Sequence, residues 1–271
     1  KQKNILIGRW LTNYEKNKTE NIKDEIYEYH WLDKKKKLKD SKYIKKVYLR
    51  IIKNVVKILN RLNNKRYNKR QWELIIGHFL HHFIFFSYDR WKTICNINNK
   101  YKLNKIDTFI YNNDDFIPHD TEDFFDLLKT EDWDNWIISE IITIQNINSK
   151  KRKINFKRKQ IIKKHNTFKD KLLKHISSDN KAKYFLKNLG LPKKFILNLH
   201  FKLNQTVHFY NSFNIDKCKK NFKNRKTFRT LSSSDKFEDF IYKTLPFILP
   251  TSFFENFKII EKNLKFLNWP Q

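Results

Sequence analysis

The stretch Arg70–Trp91, RQWELIIGHFLHHFIFFSYDRW, contains the most apolar run of a chain that is otherwise densely charged. Its middle, Leu74 to Tyr88, is too short for a membrane span, which needs about 20 apolar residues. It also includes His78, His81 and His82. The run therefore predicts a helix buried in the middle of the protein, apolar almost all round. Arg70, Trp72 and Glu73 precede it, and Asp89, Arg90 and Trp91 follow it. The Asp-Arg-Trp at its C-terminal end is the first place to look for chemistry. His78 and His82 share a helix face, but no HExxH spacing and no acidic third ligand accompany them, so no metal is expected.

Working outward, the 271 residues suffice for one large domain or two small ones. Hydrophobic residues at 39% allow a sizeable core despite the charge. The formal net charge of +30 suggests nucleic acid or an anionic surface as partner. The excess is almost all Lys, however, in company with Asn, Ile, Phe and Tyr, while Gly falls to three. That is the residue set of AT-rich codons, so coding bias accounts for much of it. A dedicated RNA binder clusters Arg, which forks onto phosphate better than Lys does. Cys95 and Cys218 lie far apart and suggest neither a disulfide framework nor a zinc site. No signal peptide or spanning run is visible, which points to the cytoplasm, with peripheral attachment at the inner membrane compatible. Met is absent even at position 1, and the chain stops on KFLNWPQ, so a fragment of a longer protein is expected.

In chain order, NILIG at Asn4–Gly8 predicts a first strand of an α/β sheet. Arg9 and Trp10 follow at the strand's C-terminal edge, where open α/β sheets bind ligands, although Trp10 can equally be core. His30, Trp31 and Asp33 form a compact polar and aromatic group, and a His near a carboxylate can act as a general base. From Lys42 to Asn63, Ile44, Val47, Tyr48, Ile51, Val55, Ile58, Leu59 and Leu62 recur at spacings of three and four. They predict a surface helix with a solvated Lys face. TFIYN, Thr108–Asn112, reads as a strand. An acidic island, Asp114–Gln145, holds two helices capped by Asp120 or Thr121 and by Asp132. The basic run 148–165 reads as a solvated loop or insertion, rather than a phosphate-binding arm. KFILNLHF after Pro192 reads as a strand, and Cys218–Arg229 as loop-like. Ser234 can cap a helix, and Thr251 or Ser252 can start another. There is no P-loop, GxGxxG, GxSxG or kinase signature.

Taken together, these stretches resemble a family of transferases encoded in bacterial surface-carbohydrate (O-antigen) loci. ILIGRWLTNYE is similar to that family's strand-then-Gly-x-Trp opening, and YHWLDKKKKLKDSKYI to its His-Trp-x-Asp segment. RQWELIIGHFLHHFIFFSYDRW resembles its Tyr-Trp…Gly-Pro-Trp-Leu segment ending in Asp-Arg. IPHDTEDFFDLLKTEDWDNWIISEII and LPTSFFENFKII match two later phrases, and NWP the Trp-Pro that follows. The series is in order from Ile5 to Pro270. Two departures are His78-Phe79 in place of Pro-Trp and Asn256 in place of the Gly after Glu255.

The resemblance implies a helix-rich α/β fold, the Rossmann-like N-terminal, acceptor-side domain of a two-domain enzyme of glycosyltransferase-B type. It covers 1–271, and most of the nucleotide-sugar half would lie downstream. The implied partners are a nucleotide-activated sugar donor and a carbohydrate acceptor, with no further cofactor. The implied site has His30 or Asp33 as base and Arg9, Arg70 or Arg90 on phosphates or a sugar carboxylate. Trp10 and Trp31 would offer stacking faces, Trp72 would add to the substrate site, and Asp89 and Asp132 would orient the Arg residues. His30, Arg70 and Arg90 should then converge on one face. The rivals are a nucleic-acid or ribosome-associated binding protein, with a Lys/Arg face interleaved by aromatics, and an inactive truncated copy.

Overall fold

Two long helices carry the architecture of the protein, seen in a computed structural model that describes residues 5–6, 25–103, 106–154, 191–204 and 218–266. Helix α1 spans Lys34–Asn63 and α2 spans Lys69–Tyr101. The apolar residues of α1 recur on one face, and Ile44, Val47, Ile51, Val55, Ile58 and Leu59 are all buried. The helix starts eight residues before the apolar pattern does. Asp33 takes the amide hydrogens of Lys35 and Lys36 onto its side chain, and this cap lets the KKKKLKD run fold as the first two turns. Asn64, in the left-handed region at φ 54°, ends α1. Asn68 opens α2 with a capping box to Gln71.

Asn60 fastens the turn between the two helices. Its side chain bonds both backbone groups of Tyr67 and accepts from Trp72 Nε1 at 2.8 Å. The α1–α2 pair is therefore an antiparallel hairpin whose open end joins the start of α1 to the last turns of α2. Trp72, Ile76, Phe79, Leu80, Phe83 and Ile84 of α2 are fully buried. The helix is not apolar all round, though: Leu74 is 72% exposed, and His78 and His81 also face outward. Burial here follows one face. Phe79 stacks on Phe83 and meets Phe124 edge-on.

Strands pair only in twos among the described residues. β1 (Ile5–Leu6) lies parallel to β2 (Glu25–Ile26), and β3 (Ile106–Ile110) parallel to β4 (Ser149–Lys153). Parallel neighbours need a crossover. Between β3 and β4 it is supplied by α3 (Thr121–Leu127) and α4 (Glu131–Ile144). Trp133, Trp136, Ile137 and Ile141 turn inward. Asp120 caps α3, but Thr130 rather than Asp132 caps α4. The first part of the 148–165 run is strand β4, not loop, because residues 149–153 find a parallel partner in β3. Residues 155–165 lie outside the described ones.

The chain divides into two units, 159–216 and the remainder. In the smaller, KFILNLHF is not a strand but part of helix α5, Lys193–Lys202. Pro192, at φ −56°, accepts the amides of Phe195 and Ile196 and so opens a helical turn. In the larger unit, Cys218–Arg229 is more ordered than its composition suggests, with α6 at Phe222–Arg225 and a 3-10 turn after it. The guanidinium of Arg225 is 1% exposed and grips both oxygens of Glu255, while Nη1 donates to the carbonyls of Pro246 and Leu249. Asp235, not Ser234, caps α7 (Lys236–Thr244). Thr251–Phe253 is a 3-10 turn before α8 (Phe257–Phe266). Helix α7 seats Phe237, Phe240 and Ile241 in the core. Arg50 of α1 binds its Glu238 and its cap Asp235. No described helix is long and apolar enough to cross a membrane.

Truncating Phe83 to Ala should lower the unfolding free energy by about 3–5 kcal/mol, whereas Leu74→Ala should change it by less than about 0.5 kcal/mol. Urea denaturation of the two variants checks this; equal losses would contradict the facing of α2.

Candidate active site

The open end of the hairpin gathers the polar residues. The chain enters α1 through a 3-10 turn, His30–Leu32, which lays His30 against the last third of α2. The His30 side chain is 3% exposed. Nε2 lies 3.6 Å from Asp89 Oδ1, and Nδ1 lies 3.5 Å from Thr93 Oγ1. Asp89 and Thr93 are one helical turn apart on α2, so both side chains address the same ring. Nε2 is sealed from solvent and has no hydrogen-bond partner.

Asp89, itself buried, accepts from Tyr29 Oη at 2.7 Å and is ion-paired with Arg90. Arg90 in turn donates through Nε to Asp134 Oδ1 at 2.9 Å. Asp40, on the second turn of α1, accepts from Trp31 Nε1 at 3.0 Å and from Tyr88 Oη at 2.9 Å. The Trp31 ring rests on Phe85, centroids 4.9 Å apart. His30 and Asp40 form part of the wall of a cavity of about 620 Å³, within the size range of small-molecule sites.

Burial pushes the His30 imidazole below the usual histidine value, because a charged ring would be desolvated. Asp89 and Asp40 pull it back up, and Lys92 and Lys36 push it down again. Asp89 is the larger of the two counterweights, but burial outweighs it. His30 is thus neutral near pH 7, with a ring nitrogen able to take a proton. Burial and the bond to Asp89 raise the Tyr29 phenol far above its ordinary value, so Tyr29 serves as a donor only.

A family model described as the LIC12162 family transferase matches residues 1–271. The chain belongs to the LIC12162 family of transferases. Comparison with curated proteins and with solved structures gave no match.

Of the residues expected at the transferase site, the structure brings together His30, Trp31, Asp89 and Arg90. Arg9 and Trp10 lie outside the described residues. Asp33 is close in sequence but is the exposed cap of α1, engaged by two backbone amides and by Lys36. Arg70 does not converge with the others: it is exposed at the start of α2, about 30 Å along the helix axis from Arg90 at 1.5 Å per residue. Trp72 is fully buried and bonded to Asn60, so it packs the core. Asp132 accepts from Tyr111 Oη at 3.3 Å; the carboxylate that meets Arg90 is Asp134, two residues on. Sequence reading missed Tyr29, Thr93 and Asp134. Thr93 could have been found from its four-residue spacing to Asp89. Nothing local marks Asp134 over Asp132. Among the described residues no group of His, Cys, Asp and Glu could hold a metal ion.

The shift of His30 has a stability consequence. Above the unfolded value near 6.5 the ring is neutral in both states. As pH falls below that value the unfolded chain takes a proton first, so this group's share of stability is lost until the folded ring protonates too. NMR titration of the imidazole should show His30 titrating below an ordinary histidine, and lower still in Asp89→Asn, which removes a charge that favours the protonated ring. A His30 midpoint unchanged in that variant would break the proposed pairing.

Proposed function

We propose that the chain is the acceptor-side part of a glycosyltransferase-like enzyme of surface-polysaccharide (O-antigen) synthesis, working in the cytoplasm, in which His30 is the general base. One observation carries this reading: a neutral, buried histidine lines a substrate-sized cavity and keeps one ring nitrogen unsatisfied beside a carboxylate. A buried polar atom without a partner costs about 1–3 kcal/mol. Nε2 is sealed from solvent in this conformation, so a local opening must expose it before a substrate hydroxyl can donate to it and relieve that cost.

In the tautomer with Nδ1–H donating to Thr93 Oγ1, the Nε2 lone pair is available. The acceptor hydroxyl gives its proton to Nε2 as its oxygen forms the new bond to the anomeric carbon. The bond from that carbon to the donor's phosphate oxygen breaks, and the leaving nucleoside diphosphate takes the electron pair. The imidazolium that results is stabilised by Asp89, 3.6 Å away. Arg90, held between Asp89 and Asp134, is a positioning residue that fixes Asp89. Trp31 is half-buried and suits one face of a sugar ring.

The parallel pairing of β3 and β4 across a helical crossover supports a Rossmann-like arrangement of the glycosyltransferase-B kind. The nucleic-acid reading has less to carry it. The basic strand β4, SKKRK, has no aromatic residue interleaved, and its Arg152 is paired with Asp107 at 2.7 Å.

Assayed against a panel of nucleotide sugars and glycan acceptors, His30→Gln should lower kcat by about 10²–10⁴-fold with little change in KM. Trp31→Ala should act mainly on KM. Retention of wild-type kcat in His30→Gln would remove His30 as the base.

A further inference from the structure

The face of α2 that walls the cavity beside His30 continues outward as a row of rings. Positions 78, 85 and 92 are spaced by seven and so lie on one side of the helix, and Lys92 is part of the cavity wall. The Trp31 ring sits 5.0 Å from the His30 ring and 4.9 Å from the Phe85 ring, centroid to centroid. From Phe85 the row runs to His81 at 6.4 Å, on to His82 at 5.5 Å and then to His78 at 4.6 Å. Tyr48 of α1 meets His81 edge-on at 5.9 Å. At 1.5 Å per residue, His78 lies about 16–17 Å along the helix axis from Asp89, so the row is much longer than one ring.

Two properties set this row apart from the surface around it. It is open: His78 and His81 are exposed, and Tyr48, His82 and Phe85 are half-buried. It also lacks fixed charge, because Leu74 to Tyr88 contains no Asp, Glu, Lys or Arg in a chain of net charge +30. The polar atoms of the row are ring edges, and two of the rings are held in place. His82 Nδ1 donates to the carbonyl of His78 at 2.8 Å, which in the neutral ring leaves Nε2 as an acceptor. Tyr48 reaches α2 over Gly77, where a Cβ would stand 3.0 Å from Tyr48 Oη. Glycine weakens a helix interior, and here it makes room for the phenol.

We infer that this row binds the acceptor glycan beyond the sugar that reacts, so that the acceptor is an oligosaccharide and not a single sugar. The inference rests on the glycosyltransferase reading and on the continuity of the row with Trp31. A sugar ring presents a face of C–H groups and a rim of hydroxyls. Aromatic faces take the first, and imidazole and phenol edges take the second. Nucleic acid or an anionic lipid headgroup would find no Lys or Arg within 74–88 to meet its charge. A wholly apolar occupant, such as a hydrophobic protein face, would strip water from three imidazoles and a phenol without replacing its hydrogen bonds. A neutral, hydroxyl-rich chain fits both the faces and the edges.

The test is an array of neutral glycans, from monosaccharides upward, probed with the full chain, followed by NMR titration of the tightest-bound oligosaccharide. We expect oligosaccharides to be retained over their component monosaccharides, and the imidazole signals of His78, His81 and His82 to shift on saturation. His78→Ala/His81→Ala should weaken that affinity at least about ten-fold; both side chains are exposed, so the fold tolerates their loss. Ile259→Ala, at an exposed apolar position of α8, should change it by less than about two-fold. No preference for length, unmoved imidazole signals, or equal losses in the two variants would overturn the surface. So would co-sedimentation with phosphatidylcholine vesicles, or dimerisation in analytical ultracentrifugation, that the double His variant abolishes, since the row would then belong to a membrane or to a second copy. His30→Gln should keep oligosaccharide affinity within about three-fold while it lowers kcat. Failure of the base therefore shows in turnover, and failure of the surface shows in binding.

Discussion

The carboxyl of Asp40 ties three pieces of the chain at one buried point. Trp31 of the 3-10 turn and Tyr88 of α2, whose rings stack on one another, both donate to it. Burying such a group is costly unless its hydrogen bonds are made, and here the two donors would be stranded without it. The bonds therefore act as a register pin. With Asp40 satisfied, the turn cannot slide along α2, and His30 is held level with Asp89 and Thr93. Asn60 does the equivalent at the closed end of the hairpin, where Trp72 and Tyr67 meet it. Between those two pins the hydrophobic faces of α1 and α2 have a single way to mesh.

Other charged clusters of the protein are resolved internally in a way that the His30 cluster is not. Arg225 uses Nε, Nη1 and Nη2 on Glu255 and two carbonyls. Glu238 is shared between Arg50 and Tyr242, and Asp235 between Arg50, Tyr43 and the first amides of α7. These are joints, and a joint stabilises most when every polar atom is used. Around His30 the carboxylates are equally well held, but the ring nitrogen facing Asp89 is left over. The contrast is the physical ground for placing chemistry there and not at Arg225, although Arg225 is the more buried charge.

Periodicity makes α1 legible, because packing one face of an amphipathic helix leaves a pattern that neighbours in sequence display, whereas α2 shows in sequence as an apolar run that hides its exposed face, Leu74 included. The same rule explains where it failed. In KFILNLHF a short apolar run fits a strand or a helix equally well, and the turn opened at Pro192 decided for helix. In the acidic island, Asp132 and Asp134 look alike in sequence, and only the angle of α4 against α2 sends one to Tyr111 and the other to Arg90. The site was half legible. The His-Trp-x-Asp and Asp-Arg phrases stand out, and the family resemblance drew attention to both. Their meeting, between residues such as Tyr29 and Asp89 that are 60 positions apart, belongs to tertiary structure, as does the exclusion of Arg70, which the length of α2 carries to the far end.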